Sequence, residues 1–201
     1  MVNLPAAIPI KVETYAHTEH HQMENTKKKI AIDMDEVMAD PIAKFIQLYN
    51  QDYNLGLTLE LLHGKEVYEA VPHEHSEKIW EYINAEGFFR DLQVIPDSQE
   101  VIKALTENYE VFIVSAGMEF RNSLIDKFDW LHDHFPFISW RNYVLCGDKS
   151  IIGADVMIDD RAKNLRTFRG ERKLLFTSTH NVHLTEFERV STWQEVAEKL
   201  L

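Results

Sequence analysis

Residues 27–41 run KKKIAIDMDEVMADP, and the fold is decided there. Lysines give way to Ile30, Ala31 and Ile32, a short apolar run that stops at Asp33, Met34 and Asp35. A run this short, apolar at consecutive positions, predicts a strand buried on both faces that opens into a polar loop. Asp40 followed by Pro41 supplies an N-cap and a proline at the first helical position. Ile42, Phe45, Ile46 and Tyr49 then recur at helical spacing, so a helix starts there.

The same grammar repeats downstream. Residues 52–90 predict further helices broken by Gly56, Gly64, Pro72 and Gly87, with Ile79, Trp80 and Ile83 on one apolar stripe. After Pro96, a helix carrying Val101, Ile102 and Leu105 leads to an apolar strand over 111–114 that ends at Ser115, Ala116 and Gly117. A helix over 119–132 precedes strands at 143–145, at 155–158 ending in Asp159 and Asp160, and at 173–176. Thr192 with Glu195 forms a capping box for a final helix containing Trp193, Val196 and Leu200. Strands alternating with helices predict an α/β fold, a mostly parallel sheet covered on both faces and interrupted after its first strand by a helical insert. The expected organisation is a core of residues 27–40 and 93–201, an insert of residues 41–92, and a flexible tail of residues 1–26.

That tail is polar and aperiodic. His17, His20 and His21 read as solvated rather than metal-binding, and the segment upstream of Met23 reads as dispensable. With 201 residues, 45% of them apolar, the chain can bury a full core. A formal charge of −12 repels the phosphates of a nucleic-acid polymer, so no such partner is expected. A small phosphorylated substrate is admitted if a metal and a lysine offset the field locally. The single cysteine, Cys146, excludes an internal disulfide and reads as a small buried residue. No stretch approaches the roughly 20 apolar residues of a membrane span, and no secretory signal is apparent, so a cytoplasmic protein with no membrane partner is expected. His73 with His75, His132 with His134, and His180 with His183 lack the company of a zinc site. A homodimer stays open, because an apolar helix face looks the same in a core and in an interface.

In a parallel sheet the carboxyl ends of the strands share one edge, where ligands bind. Asp33 and Asp35 follow the first predicted strand, Ser115 ends the second, Lys149 lies past the third, and Asp159 and Asp160 end the fourth. Hydrophobic packing alone does not ask for this. The carboxylates suit Mg2+, which prefers hard oxygens and offsets the repulsion between an anionic nucleophile and a phosphoryl group. Asp33 is then the candidate nucleophile, forming an aspartyl-phosphate, and Asp35 the general acid and base. Ser115 donates to a phosphate oxygen, and Lys149 adds positive charge.

At these residues the chain resembles the haloacid dehalogenase superfamily of phosphohydrolases. It is most similar to the 5'(3')-deoxyribonucleotidase branch. The resemblance is carried by Asp33-Met34-Asp35-Glu36-Val37-Met38-Ala39-Asp40, Gly87-Phe88-Phe89, Asp148-Lys149, Leu175-Phe176-Thr177 and His180-Asn181. It implies a Rossmann-like three-layer core with a small helical cap closing over a nucleoside monophosphate. It also implies Mg2+ held by the Asp33 side chain, the Asp35 backbone carbonyl and the Asp160 side chain, with Asp159 supporting. Ser115, Ala116, Lys149, Phe88 and Phe89 become candidate substrate contacts, with Tyr68 and Trp80 as further aromatic walls. Glu36 stands where many members carry glycine, Pro41 where the animal enzymes carry an aromatic, and Gly147 where they carry an arginine. Ala116 and Gly117 replace a polar residue and a proline. These departures bear on base and sugar preference, not on the phosphoryl chemistry.

Overall fold

A computed structural model describes residues 27–201; the readings of the tail lie outside the described residues. Strands β1 (Lys28–Ile32), β4 (Tyr109–Ser115), β5 (Tyr143–Leu145), β6 (Val156–Asp159), β7 (Arg172–Phe176) and β8 (Glu188–Val190) form one sheet in the order β5-β4-β1-β6-β7-β8. Every pairing in it is parallel. The chain builds outward from β1 through β4 to β5, then returns to β6 on the other side of β1. The order therefore reverses at β1, where a crevice opens beyond the strand ends.

Alternation along each strand feeds two apolar layers. Ile30, Ile32, Ile113, Ile158 and Leu174 face one layer, packed with Ile102 and Leu105 of α4 (Ser98–Asn108), Trp130 of α5 (Ser123–His134), and Trp193 and Val196 of α7 (Trp193–Leu200). Ala31, Val114, Met157 and Leu175 face the other, with Leu165 of α6 (Ala162–Thr167) and Phe168.

Residues 41–92 leave and re-enter through a short antiparallel ladder of β2 (Ala39–Asp40) and β3 (Gln93–Val94). Between them run α1 (Pro41–Tyr53), α2 (Val67–Ala70) and α3 (Ser76–Asn84). α1 starts as its sequence dictates, with Pro41 in the first turn and the Asp40 carboxylate accepting from the Ala43 N–H at 2.8 Å. Its apolar face, Ile42, Phe45 and Tyr49, joins the same core as the sheet.

Some boundaries differ from the sequence reading. α5 begins at Ser123 because residues 117–119 take a tighter 3-10 turn first. β6 spans Val156–Asp159, and Asp155 just ahead of it donates its N–H to Lys29 O at 2.9 Å while its carboxylate accepts from the Lys29 N–H at 2.7 Å. Thr192 caps α7, but Glu195 accepts from the Ser191 N–H at 2.8 Å, so the box is offset by one residue. The β2–β3 ladder and β8 were not anticipated; two- and three-residue strands are too short for periodicity to register.

Candidate active site

Four neighbouring strands, β5, β4, β1 and β6, end in chemistry-bearing groups. Asp33 leaves β1 with its own N–H still donating to Ile158 O on β6 at 2.9 Å, which seats it at the strand junction. Its Oδ1 accepts from the Met34 N–H at 2.7 Å and from Lys149 Nζ at 2.7 Å. Lys149 arrives by a short device: Asp148 caps a single 3-10 turn by accepting from the Ser150 N–H at 2.8 Å, and Lys149 is the turn's first residue. Its ammonium, 2% exposed, also donates to Asp159 Oδ2 at 2.7 Å. Asp159 Oδ1 is held in turn by the Arg161 N–H at 2.8 Å and by Asn164 Nδ2 at 2.9 Å. Asp160 Oδ2 meets His180 Nε2 at 2.9 Å and Arg161 Nε at 3.2 Å.

Burial pushes the Asp33 carboxyl above the usual range against the pull of Lys149, and burial with neighbouring Glu36 and Asp33 pushes Asp160 well above it. Burial alone would lower Lys149, yet Asp33 and Asp159 outweigh it and hold the ammonium charged. Burial beside the Arg161 guanidinium pushes His180 down to about 4, which keeps the ring neutral at physiological pH. Carboxyl oxygens of Asp33, Asp159 and Asp160 lie within 4.8 Å of one another. Crowded, buried, hard oxygen donors of this kind fit Mg2+, because a divalent cation relieves their mutual repulsion.

Beside these groups lies a cavity of about 300 Å³, walled by the insert on one side and the strand ends on the other. Asp35, Ala116, Lys149 and Asp160 contribute from the core, and Pro41, Tyr68, Trp80 and Phe89 from the insert side. Tyr68 and Trp80 are both exposed and stack on each other at 5.8 Å between centroids. Phe88 is buried with its ring 4.8 Å from that of Phe45 and is not among the residues lining the cavity, while its neighbour Phe89, 5.0 Å away ring to ring, is. Ser115 is fully buried, with its hydroxyl accepting from Lys127 Nζ at 3.0 Å.

Residues 27–201 match the family profile described as "5' nucleotidase, deoxy (Pyrimidine), cytosolic type C protein". The chain is 43% identical over 176 residues to a relative in Staphylococcus aureus, covering 88% of this chain and 97% of that one. It is 38% identical over 175 residues to the 5'(3')-deoxyribonucleotidase of Bacillus subtilis, covering 87% and 99% respectively. The chain belongs to this family. Members are hydrolases of the haloacid dehalogenase phosphatase type, and the fold agrees. A haloacid dehalogenase-like hydrolase of Streptococcus pneumoniae superposes with a TM-score of 0.56 at 12% identity, covering 87% of this chain and 99% of that one. A Bacillus subtilis HAD-hydrolase, solved bound to magnesium, gives 0.53 at 13% identity over 88% and 99%.

Glu36 has φ +60°, a region glycine enters freely and other residues enter at a cost. Here the side chain is tied down. Ser178 Oγ donates to it, Arg161 Nη2 sits 3.4 Å away, and burial lifts its pKa to about 7. Arg161 also pairs with Glu66 of the insert. Neither Arg161 nor Lys127 was singled out from the sequence. For Lys127 a signal existed: it shares the helical stripe of Ser123, Trp130 and Leu131, all buried, where an unpartnered lysine does not belong.

Proposed function

We propose that the chain hydrolyses nucleoside 5'- or 3'-monophosphates, favouring deoxyribonucleotides, to nucleoside and inorganic phosphate in the cytoplasm. The observation that carries this is the convergence of Asp33, Lys149, Asp159 and Asp160 beside a cavity with an aromatic wall. Residues 41–92 act as the cap over that cavity. The side chains of Asp33 and Asp160 and the Asp35 carbonyl, with Asp159 in support, would hold Mg2+, which when bound supplies positive charge between nucleophile and phosphoryl group.

Asp33 attacks phosphorus in line with the sugar oxygen; the new O–P bond forms an aspartyl-phosphate as the ester bond breaks. Asp35, carrying its proton on Oδ1, the oxygen without a hydrogen-bond partner, gives that proton to the departing sugar oxygen, then takes one from the water that cleaves the aspartyl-phosphate and so recovers its starting state. Lys149, pinned between Asp33 and Asp159, keeps the nucleophile oriented and pulls it toward its ionised form. Ser115 accepts from Lys127, which leaves its own O–H free to donate to a phosphate oxygen. Asp33→Asn is expected to abolish Mg2+-dependent phosphate release from deoxyuridine monophosphate, and retained turnover overturns the proposal.

A second reading keeps the chemistry and changes the substrate to another small organic phosphate such as a sugar phosphate. Its motive is the departure from the family pattern at Pro41 and Ala116, which line the cavity, and at Gly147. A panel of phosphorylated metabolites separates the two, since strong nucleotide preference removes the second.

A further inference from the structure

Lys127 is 1% exposed, on α5 and 12 residues after Ser115. Burying a lysine is unfavourable unless its charge is paired, so its partners define what it does. It has three. Lys127 Nζ donates to Asp35 Oδ2 in a close ion pair, donates to Ser115 Oγ at 3.0 Å, and sits 4.4 Å from the centre of the Phe89 ring on the cavity wall. Asp35 Oδ1 is buried and has no hydrogen-bond partner. Lys127 is therefore the one polar contact of the Asp35 carboxylate among the described residues, and it alone resists rotation of that carboxylate.

We propose that Lys127 is a positioning residue that fixes the Asp35 carboxylate for proton transfer and, through the same ammonium, directs the Ser115 hydroxyl. The inference rests on the proton-transfer role given to Asp35 above. A carboxylate free to rotate spends little time aligned with the leaving oxygen, and alignment is where a proton-transfer group earns its rate. Phe89 contributes an apolar and electron-rich face that keeps the ammonium from turning to solvent.

The test uses the full chain with two substrates, deoxyuridine monophosphate and p-nitrophenyl phosphate. The first leaves as an alkoxide that needs a proton, while the second leaves as a stabilised phenolate that needs little help. Lys127→Met is expected to lower kcat/KM for the nucleotide about 10²-fold, the low end of a proton-transfer contribution, and for the aryl phosphate less than about 10-fold. Removing a buried cation also leaves Asp35 unpaired, so the same substitution is made in Asp35→Asn, where no orphaned charge remains. In that background it is expected to change kcat/KM less than about 3-fold, because a residue acting through another adds little once the other is gone. Equal losses on both substrates, or losses that multiply with those of Asp35→Asn, overturn the inference. Asp33→Asn is run beside them: if it retains turnover, the parent reading has failed rather than this one.

Discussion

Lys149 shows at the scale of one residue how the site holds together. Its position is set by a cap and a single turn, and its charge by two carboxylates at 2.7 Å. Gly64 is a second case where one residue carries a structural demand. It has φ +76° and donates its N–H to Thr179 O at 2.8 Å, and a Cβ there would lie 2.4 Å from His183 Nε2. Gly87 has nearly the same backbone, φ +79°, with nothing near a Cβ. Gly87→Ala is thus expected to cost about 1 kcal/mol of backbone strain alone. Gly64→Ala should cost about 2–3 kcal/mol, strain plus the clash. Adding His183→Ala should bring it back toward the Gly87→Ala value in urea denaturation; no recovery would mean the clash is not the cause.

At the scale of elements, the β7–β8 edge is fastened to the last helix by one carboxylate. Arg172 reaches Glu188 with Nε at 3.0 Å and Nη2 at 2.8 Å, Lys199 of α7 reaches it at 2.9 Å, and Arg172 Nη1 donates to Lys199 O at 2.8 Å. The Arg172 hydrogen bonds come first among the causes that lower Glu188 from 4.5 to about 2. A folded pKa below the unfolded one means the stabilisation is complete above about pH 5 and drains away as pH falls from there toward 2. Because the pair is partly exposed, solvent screening limits the effect. Glu188→Gln is expected to lower stability by ~0.5 kcal/mol at pH 7, with the gap to the parent closing as pH falls from about 5 toward 2 in denaturation curves. A gap that widens on acidification would contradict the sign.

Over the whole molecule, core and insert share one apolar cluster, from Ile30 and Ile32 of β1 to Phe45, Leu62, Ile79 and Phe89 of residues 41–92. Polar contacts add to it: Trp130 Nε1 donates to Leu92 O at 2.8 Å, Gly64 donates to Thr179, and Arg161 bridges Asp160 and Glu66. A helical segment whose apolar face is completed only by the sheet has little reason to fold alone. Calorimetry is therefore expected to show a single cooperative transition, with residues 41–92 unfolded when expressed by themselves. Two resolved transitions would show the insert to be an independent unit.

The sequence by itself determined what depends on neighbours along the chain. Ile30-Ala31-Ile32 reads as a buried strand, Asp40-Pro41 as a helix start, and the alternation of elements as a parallel sheet, because apolar runs and caps act over a few residues. Since parallel strands end on one edge, the order of elements alone gathers Asp33, Ser115, Lys149 and Asp159 along it. What only the tertiary structure decided are pairings across long stretches of chain: Lys127 with Asp35, 92 residues apart, and Arg161 with Glu66, 95 residues apart. It also decided that Phe89 faces the cavity while its neighbour Phe88 is buried against Phe45. Those outcomes depend on where helices dock and how they are rotated. Docking is set by the summed packing of many side chains, and no local pattern encodes that sum.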